Sequence, residues 1–329
     1  MRINSRNLLS QNGSITLLLA IALVVVMTLF GGVFWSGTNL DSLQTSIAPL
    51  AIVAIGMVTL LICGVFDLSV GAIMVLSGIV CAKLFEAGLP VPLVVVIGVL
   101  TGALVGLLNG VLVGVFKINP LIATIGTMNM AQGTAMTIFS LSHKGQAEYQ
   151  IAIKLPQDFI NLGTGTLGGL YYMFWVMLVL VILIAVFQRW FPSGRRMYLT
   201  GDNPEAAKLM GFKTTRIILL SFVFTGLLCA IAGILSVARF EQANRYMGEN
   251  VNLTAIISCV LGGASLMGGR GSSVGTIIGV LCMALIANMF NIFEVAPAWQ
   301  KVVVGVLLIV VVTVDGYLIL RKQRELGKI

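Results

Sequence analysis

The run Val91-Pro92-Leu93-Val94-Val95-Val96-Ile97-Gly98-Val99-Leu100-Thr101-Gly102-Ala103-Leu104-Val105-Gly106-Leu107-Leu108-Asn109-Gly110-Val111-Leu112-Val113-Gly114-Val115-Phe116 contains no charged residue. A helix needs about 20 apolar residues to cross the hydrocarbon core of a bilayer, so this stretch is long enough to span it. Gly98, Gly102, Gly106 and Gly110 recur every fourth residue and share one helix face. Small residues at that spacing let a second helix approach closely in lipid. Packing within one subunit is the expected use of the ladder, and a dimer face is the sharper alternative. The run lacks the apolar/polar alternation of a membrane β-strand.

The rest of the chain has the same character. Of 329 residues, 58% are hydrophobic and 10% charged, and the mean hydropathy is +1.04. Soluble domains average about 45–50% apolar and about 25% charged. An ordinary cytosolic enzyme, a disordered tail and a secreted disulfide scaffold are thereby excluded. Further apolar segments fall near 15–36, 47–66, 68–87, 118–142, 167–188, 216–238, 253–268, 273–293 and 298–320. The expected fold is therefore an all-α polytopic membrane protein of about ten transmembrane helices in one domain over residues 1–329. The first segment is longer than a signal-peptide core and lacks a small-x-small cleavage site, so it is read as an uncleaved span.

The net charge of +8 is then a topology signal. With the N-terminus inside, Arg2, Arg6, Lys117, Arg189, Arg195 and Arg196 fall on the inner side. So do Lys208, Lys213, Arg216, Arg270, Arg321, Lys322, Arg324 and Lys328. Only Lys83, Lys144, Lys154, Arg239, Arg245 and Lys301 fall outside. Inner loops carry the excess of Lys and Arg, which selects N-in and C-in. The excess is then a record of orientation, and no nucleic-acid partner is expected. Membrane lipid is.

Two loops are long enough to carry function: an external one near 143–166 and an inner one near 189–215. The five cysteines all lie in apolar stretches without metal spacing and read as small packing residues. His143 is the sole histidine, so neither a metal cluster nor a catalytic triad can be built on it. No metal, no cofactor and no catalytic residue is expected in this chain. A weak internal echo links Asp67-Leu68-Ser69-Val70-Gly71-Ala72-Ile73 with Gly271-Ser272-Ser273-Val274-Gly275-Thr276-Ile277, each opening a span. Some transporters are built from such repeats.

The inner loop contains a complete helix punctuation. In Gly201-Asp202-Asn203-Pro204-Glu205-Ala206-Ala207-Lys208-Leu209-Met210-Gly211, Asp202 or Asn203 can cap the first free amides. Pro204 suits the first helical position, where no amide is needed. Glu205 stands three after Asp202, as in a capping box, and Gly211 can take the left-handed stop. The result is a two-turn helix in water. So short a helix is marginal alone, and Leu209 and Met210 want a partner surface. A helix on lipid headgroups and a docking element for another protein are the two readings.

These residues also carry a resemblance. Glu205-Ala206-Ala207 with Gly211 resembles the E-A-A-x-x-x-G loop of ATP-binding-cassette (ABC) importer permeases. The run from Gly194-Arg195-Arg196 through Gly201-Asp202-Asn203-Pro204 to Ala207 looks like the corresponding segment of ribose-type sugar permeases. Phe66-Asp67-Leu68-Ser69-Val70-Gly71, Pro120–Met128 and Val260–Gly271 agree in the same order. The resemblance reaches from the first span to Asp315.

It implies a permease subunit in a bacterial inner membrane that moves a simple sugar (pentose, hexose or polyol) inward by alternating access. It implies a second permease subunit, either a copy or a paralogue, a cytoplasmic ABC ATPase and a periplasmic sugar-binding protein. ATP and magnesium would sit on the partner ATPase, and no G-x-x-x-x-G-K-[ST] loop occurs in these residues. Arg195, Asp202, Asn203, Pro204, Glu205, Ala206, Ala207 and Gly211 would form the coupling element. A branched amino acid, a nucleoside or a signalling furanone is the alternative cargo. An ion-coupled carrier fits less well, because its coupling path usually carries buried charges. The chain departs from the family pattern at Gln132, Asn252 and Thr254, and in Gly64-Val65-Phe66 before the Asp-Leu-Ser.

Uncharged polar groups on apolar spans are the candidate translocation path or gate: Asn109, Thr124, Thr127, Asn129, Gln132, Asn288 and Asn291, with Asp67 and Ser69. For any one of them an interhelical hydrogen bond, worth about 0.6–2 kcal/mol, is the plainer role. Asp67 is expected to cap the span that follows it.

Overall fold

The structure is a computed structural model that describes residues 11–142, 150–152 and 155–325. His143, Lys144, Glu148, Lys154, Arg2, Arg6 and Lys328 lie outside the described residues. The helices are α1 Gln11–Phe30, α2 Gly37–Ile62, α3 Val70–Glu86, α4 Val91–Gly110, α5 Pro120–Ser142, α6 Gln157–Thr164 and α7 Tyr172–Trp190. They continue with α8 Pro192–Asp202, α9 Pro204–Leu209, α10 Thr214–Phe240, α11 Val251–Leu261, α12 Ser273–Ile292 and α13 Pro297–Glu325. A π-helical turn, Val111–Val115, extends α4. The strands are short: β1 Gln150–Ala152 pairs antiparallel with β4 Gln242–Asn244, and β2 Thr166–Leu167 with β3 Leu170–Tyr171.

The chain is an all-α, multi-pass membrane protein. Among the described residues six helices are long and apolar enough to cross a bilayer: α2, α4 with its extension, α7, α10, α12 and α13. The other apolar segments also contain helices of different build. α3 has 17 residues, and α5 has 23 but dilutes its apolar side chains with Thr, Asn and Gln. α11 has only 11 residues, about 16 Å of rise against a hydrocarbon core of about 30 Å. The apolar segment read as 253–268 stops being helical at Leu261, because Gly263, Gly268, Gly269 and Gly271 all take positive φ. Likewise the segment read from 167 begins with a β2–β3 hairpin turned at Gly168 and Gly169, and its helix starts at Tyr172.

α10 is the central post, packed on α2, α3 and α4. The glycine ladder of α4 faces it. A Cβ at Gly102 would run into the Gly226 carbonyl, and one at Gly106 into that of Phe222. The ladder is therefore an intrachain seam, and its face is not free for a second subunit. In lipid such contact rests on dispersion between closely approached backbones, since lipid tails are as apolar as Leu. One core surrounds the buried half of α2 from Ile47 to Ile62. A second lies between α3, α4, α5 and α6, where Phe85 meets Phe159 with ring centroids 4.6 Å apart.

Candidate functional site

The inner-loop helix forms as α9, and its cap is Asn203. The Asn203 backbone is extended (φ −152°), and its Oδ1 accepts the Ala206 amide at 2.9 Å. Asp202 ends the preceding helix α8, so the capping box between Asp202 and Glu205 does not form. Glu205 still lies in the first turn, where a carboxylate complements the helix dipole. At the other end Gly211 has φ +82°. Its amide bonds the Lys208 carbonyl at 2.8 Å, and the Phe212 amide bonds that of Ala207 at 3.0 Å. That pair is a Schellman stop. Leu209 is 90% and Met210 55% exposed. A six-residue helix thus exposes its two terminal apolar residues. Arg195, Asp202, Pro204 and Glu205 are exposed beside them, Ala206 is half-buried and Ala207 is buried.

α8 is an element that the sequence reading took as loop. Pro192 at its first turn and Phe191 before it are the signals that could have found it. Its C-terminal end locks onto two helix breaks. A Cβ on Gly201 would collide with the Ile62 carbonyl and with the amide of Gly269. That amide donates to the same Ile62 carbonyl at 3.0 Å. Tyr198 Oη donates to the Gly271 carbonyl at 3.0 Å, and burial pushes its phenol up to about 12. Asp315 of α13 accepts from Ser265 Oγ at 3.3 Å and from the Leu266 amide at 3.2 Å. Thus the breaks at 63–69 and 262–272 and the α8–α9 corner meet backbone to backbone. Glycine at Gly201 is what allows the approach.

From the first break a buried polar node rises between α3, α4 and α5. Asp67 Oδ1 accepts the Ser69 amide at 2.7 Å and Ser69 Oγ at 2.6 Å. Asn109 Nδ2 donates to Asp67 Oδ2 at 3.1 Å and to Ser69 Oγ at 2.9 Å. Thr127 Oγ1 donates to Asn109 Oδ1 at 2.6 Å, and Thr124 Oγ1 accepts the Leu68 amide at 3.1 Å. Asn252 Nδ2, opening α11, donates to the Leu68 carbonyl at 3.2 Å. Asp67 is fully buried. It does not cap α3 in the expected way: it closes a turn onto Ser69, the residue just before the helix, and ties that turn to α4. Four of the residues singled out in the sequence, Asp67, Ser69, Asn109 and Thr127, thus bond one another by side chains, and Thr124 joins them through its carbonyl, which accepts Thr127 Oγ1 at 3.2 Å.

The remaining four are dispersed. Asn288 is buried and exchanges two amide hydrogen bonds with Asn39, at 2.6 and 3.2 Å. Asn291 is exposed and accepts from Gln300 at 3.1 Å. Asn129 and Gln132 stand on the exposed face of α5. Among the described residues Asn129 donates to the Ile125 carbonyl of its own helix alone. Gln132 lines a cavity of about 210 Å³ with Val75, Phe139, Tyr246 and Glu249. Gly126 and Gly133 of α5 face open space. Sequence reasoning missed Asn39, Gly201 and Gln188. Gln188 accepts the Ser273 amide and hydroxyl at 3.2 and 2.9 Å and so ties α7 to α12. Among the described residues no group of His, Cys, Asp and Glu could hold a metal ion.

The family described as branched-chain amino acid transport system / permease component matches residues 39–312. The chain belongs to this permease family. It is 30% identical to the ribose import permease protein RbsC of Haemophilus influenzae over 313 residues, 95% of each chain. It is 32% identical to RbsC of Bacillus subtilis over 89% of each chain. It is 31% identical to the fructose import permease protein FrcC of Rhizobium meliloti, over 92% of this chain and 84% of that one. No solved structure matches. The permease is thus a transport subunit and not an enzyme. The matched span takes in the α8–α9 corner, both breaks and the polar node.

Cations gather around the corner of the permease. Lys117 donates to Thr215 Oγ1 at 3.3 Å. Burial, and then the nearby Lys208 charge, lower its ammonium below the usual lysine range.

Proposed function

We propose that this single-domain permease is the membrane subunit of an ABC importer in a bacterial inner membrane and carries a simple sugar inward by alternating access. The observation that carries the reading is α9: a capped, exposed helix whose foot is locked by Gly201 to both helix breaks. Force applied to α9 by an ATPase would reach Ile62 and Gly269 without passing through flexible side chains. Arg195, Asp202, Asn203, Pro204, Glu205 and Gly211 shape that contact, with ATP and magnesium held by the ATPase. In this reading about ten segments cross the membrane, with α3 and α11 as shortened spans and both termini inside. Lys117 beside Lys208, and Lys301 paired with Glu249 at 2.9 Å, agree with the sides assigned from charge.

The sugar's route follows α5. Polar side chains and bare glycine backbone on an exposed face at membrane depth need water or a partner, not lipid. Asn129 and Gln132 would face a second permease subunit across this route, and a periplasmic binding protein would deliver the sugar. Ribose and fructose import by the named relatives support a monosaccharide. The autoinducer 2 import system permease protein LsrD of Escherichia coli, 30% identical over 93% of each chain, favours autoinducer 2 as the second reading.

The test is uptake into proteoliposomes holding the assembled importer, loaded with ATP inside and given binding protein with labelled ribose, fructose or autoinducer 2. Uptake of one of these should be ATP-dependent. It should vanish in Glu205→Arg with Gly211→Trp, while that variant still inserts. Uptake by the chain alone under a proton or sodium gradient would overturn the reading.

A further inference from the structure

A cavity of about 840 Å³ opens between α7, α8 and α10. Its size falls within the range of about 300–1,000 Å³ typical of small-molecule sites. It is separate from the polar node and from the exposed face of α5. Leu183 and Phe187 of α7 and Ile217, Leu220 and Phe224 of α10 form its apolar wall. Leu183 and Leu220 are strongly exposed, at 58% and 62%. Arg196, Lys213 and Arg216 line its α8–α9 end, and among the described residues no carboxylate lines it. The Arg196 guanidinium sits 5.5 Å from the centre of the Phe212 ring, which holds it at the rim.

The level of this rim in the membrane is marked independently. Trp190, at the end of α7, is 66% exposed with Arg189 5.8 Å from its ring centre. Trp and Arg at the end of a spanning helix are headgroup-level residues. Apolar wall along two spans, then three uncompensated cations at headgroup level, is the charge and polarity profile of an anionic lipid turned inside out. Basic pockets between spanning helices on the inner side hold such headgroups. A second copy fits worse, since a twofold contact through this face would set the same cations against each other.

We propose that this cavity binds one anionic phospholipid, an acyl chain lying between α7 and α10 and its phosphate among Arg196, Lys213 and Arg216. The placement of α8–α9 inside, proposed above, decides only which leaflet supplies the lipid. The bound lipid would brace α8 against α10 beside the Gly201 junction.

The test is native mass spectrometry of the delipidated full-length chain, titrated with phosphatidylglycerol, phosphatidylcholine and glycerol phosphate. One phosphatidylglycerol should bind with about tenfold or greater preference over phosphatidylcholine. Glycerol phosphate alone should not compete. The triple variant Arg196→Gln, Lys213→Gln, Arg216→Gln should lose the preference, and Arg189→Gln should keep it. Leu220→Trp, which fills the apolar wall and leaves the charges, should weaken binding of both lipids. If the triple variant fails to fold, Lys213→Gln alone should show a partial loss. Equal binding of the two lipids, or an unchanged preference in the neutralised variants, would overturn the proposal. So would disulfide crosslinking of two chains through Leu220→Cys. None of these outcomes depends on transport, so the ABC reading stands or falls separately.

Discussion

Asp67 and Asn109 on one side, Asn129 and Gln132 on the other, are similar residues in opposite circumstances. The first pair is fully buried, and its side-chain oxygens and the Asn109 amide are bonded to Ser69, Thr127 and each other. The second pair is exposed on α5, and Asn129 turns back onto its own backbone. In a membrane protein a polar group that is fully partnered inside the fold is spent on holding helices together. One that stands at membrane depth without an interhelical partner is available for water, cargo or another subunit. The difference supports a structural role for the node and its glycine junction, and it supports the proposed transport route along the α5 face.

The junction should be the more fragile of the two. Gly201→Val places a branched Cβ against the Ile62 carbonyl and the Gly269 amide. Both are backbone, so neither can swing away. The expected cost is about 3 kcal/mol or more, at the upper end of overpacking effects. It would appear as loss of the monodisperse peak in detergent and a collapsed melting temperature. A stable, well-folded Gly201→Val protein would break the claim that α8 is locked to both breaks.

The node comes next. Asp67→Ala leaves the Ser69 amide, the Ser69 hydroxyl and the Asn109 amide short of an acceptor. Leaving buried donors unsatisfied costs about 1–3 kcal/mol each, and neighbouring relaxation makes the sum smaller. Asp67→Asn retains one acceptor oxygen but turns a second amide toward Asn109, so its melting temperature should fall between wild type and Asp67→Ala. Double substitution with Asn109→Ala should be less than additive, because the two residues share one network. Full additivity would separate them and dissolve the contrast.

Some of this was legible in the sequence for physical reasons, and some could not be. Hydropathy marked every long helix, because a span must satisfy its backbone alone and so declares itself by composition. α9 was legible because caps and stops are local chemistry: Pro204 and Gly211 act within a turn of themselves. The choice of Asn203 over Asp202 as cap was not, since both are good acceptors and only the end of α8 decides between them. α11 read as longer than it is, because apolar residues on either side of Gly262 and Gly263 hide a helix end. The node was visible only as a set of candidates. That Asp67, Ser69, Asn109, Thr124 and Thr127 meet, while Gln132 and Asn129 do not join them, depends on which face of α5 turns toward α4. No local pattern contains that. The Asn39–Asn288 pair is the extreme case, two amides 249 positions apart.

The smallest stability effect should belong to the α5 face, and it is the sharpest test of the contrast. Asn129→Ala and Gln132→Ala remove exposed groups that make no interhelical hydrogen bond among the described residues. Each should change stability by no more than about 0.5 kcal/mol, the usual range for surface positions. Ala also has the better helix propensity, so slight stabilisation is an acceptable result. Uptake should respond differently. If Asn129 and Gln132 face the sugar's route, their loss should lower the transport rate at unchanged affinity of the binding protein. Leu104→Ala, on the exposed and purely apolar face of α4, is the control: it too should leave stability nearly intact, but uptake should not move. Transport that falls in all three variants would point to a general packing effect. Transport unchanged in Asn129→Ala and Gln132→Ala would leave α5 as an ordinary contact surface and move the route elsewhere. Only a loss confined to the α5 pair, without a loss of melting temperature, keeps the two regions of the molecule in the roles that their hydrogen bonding assigns.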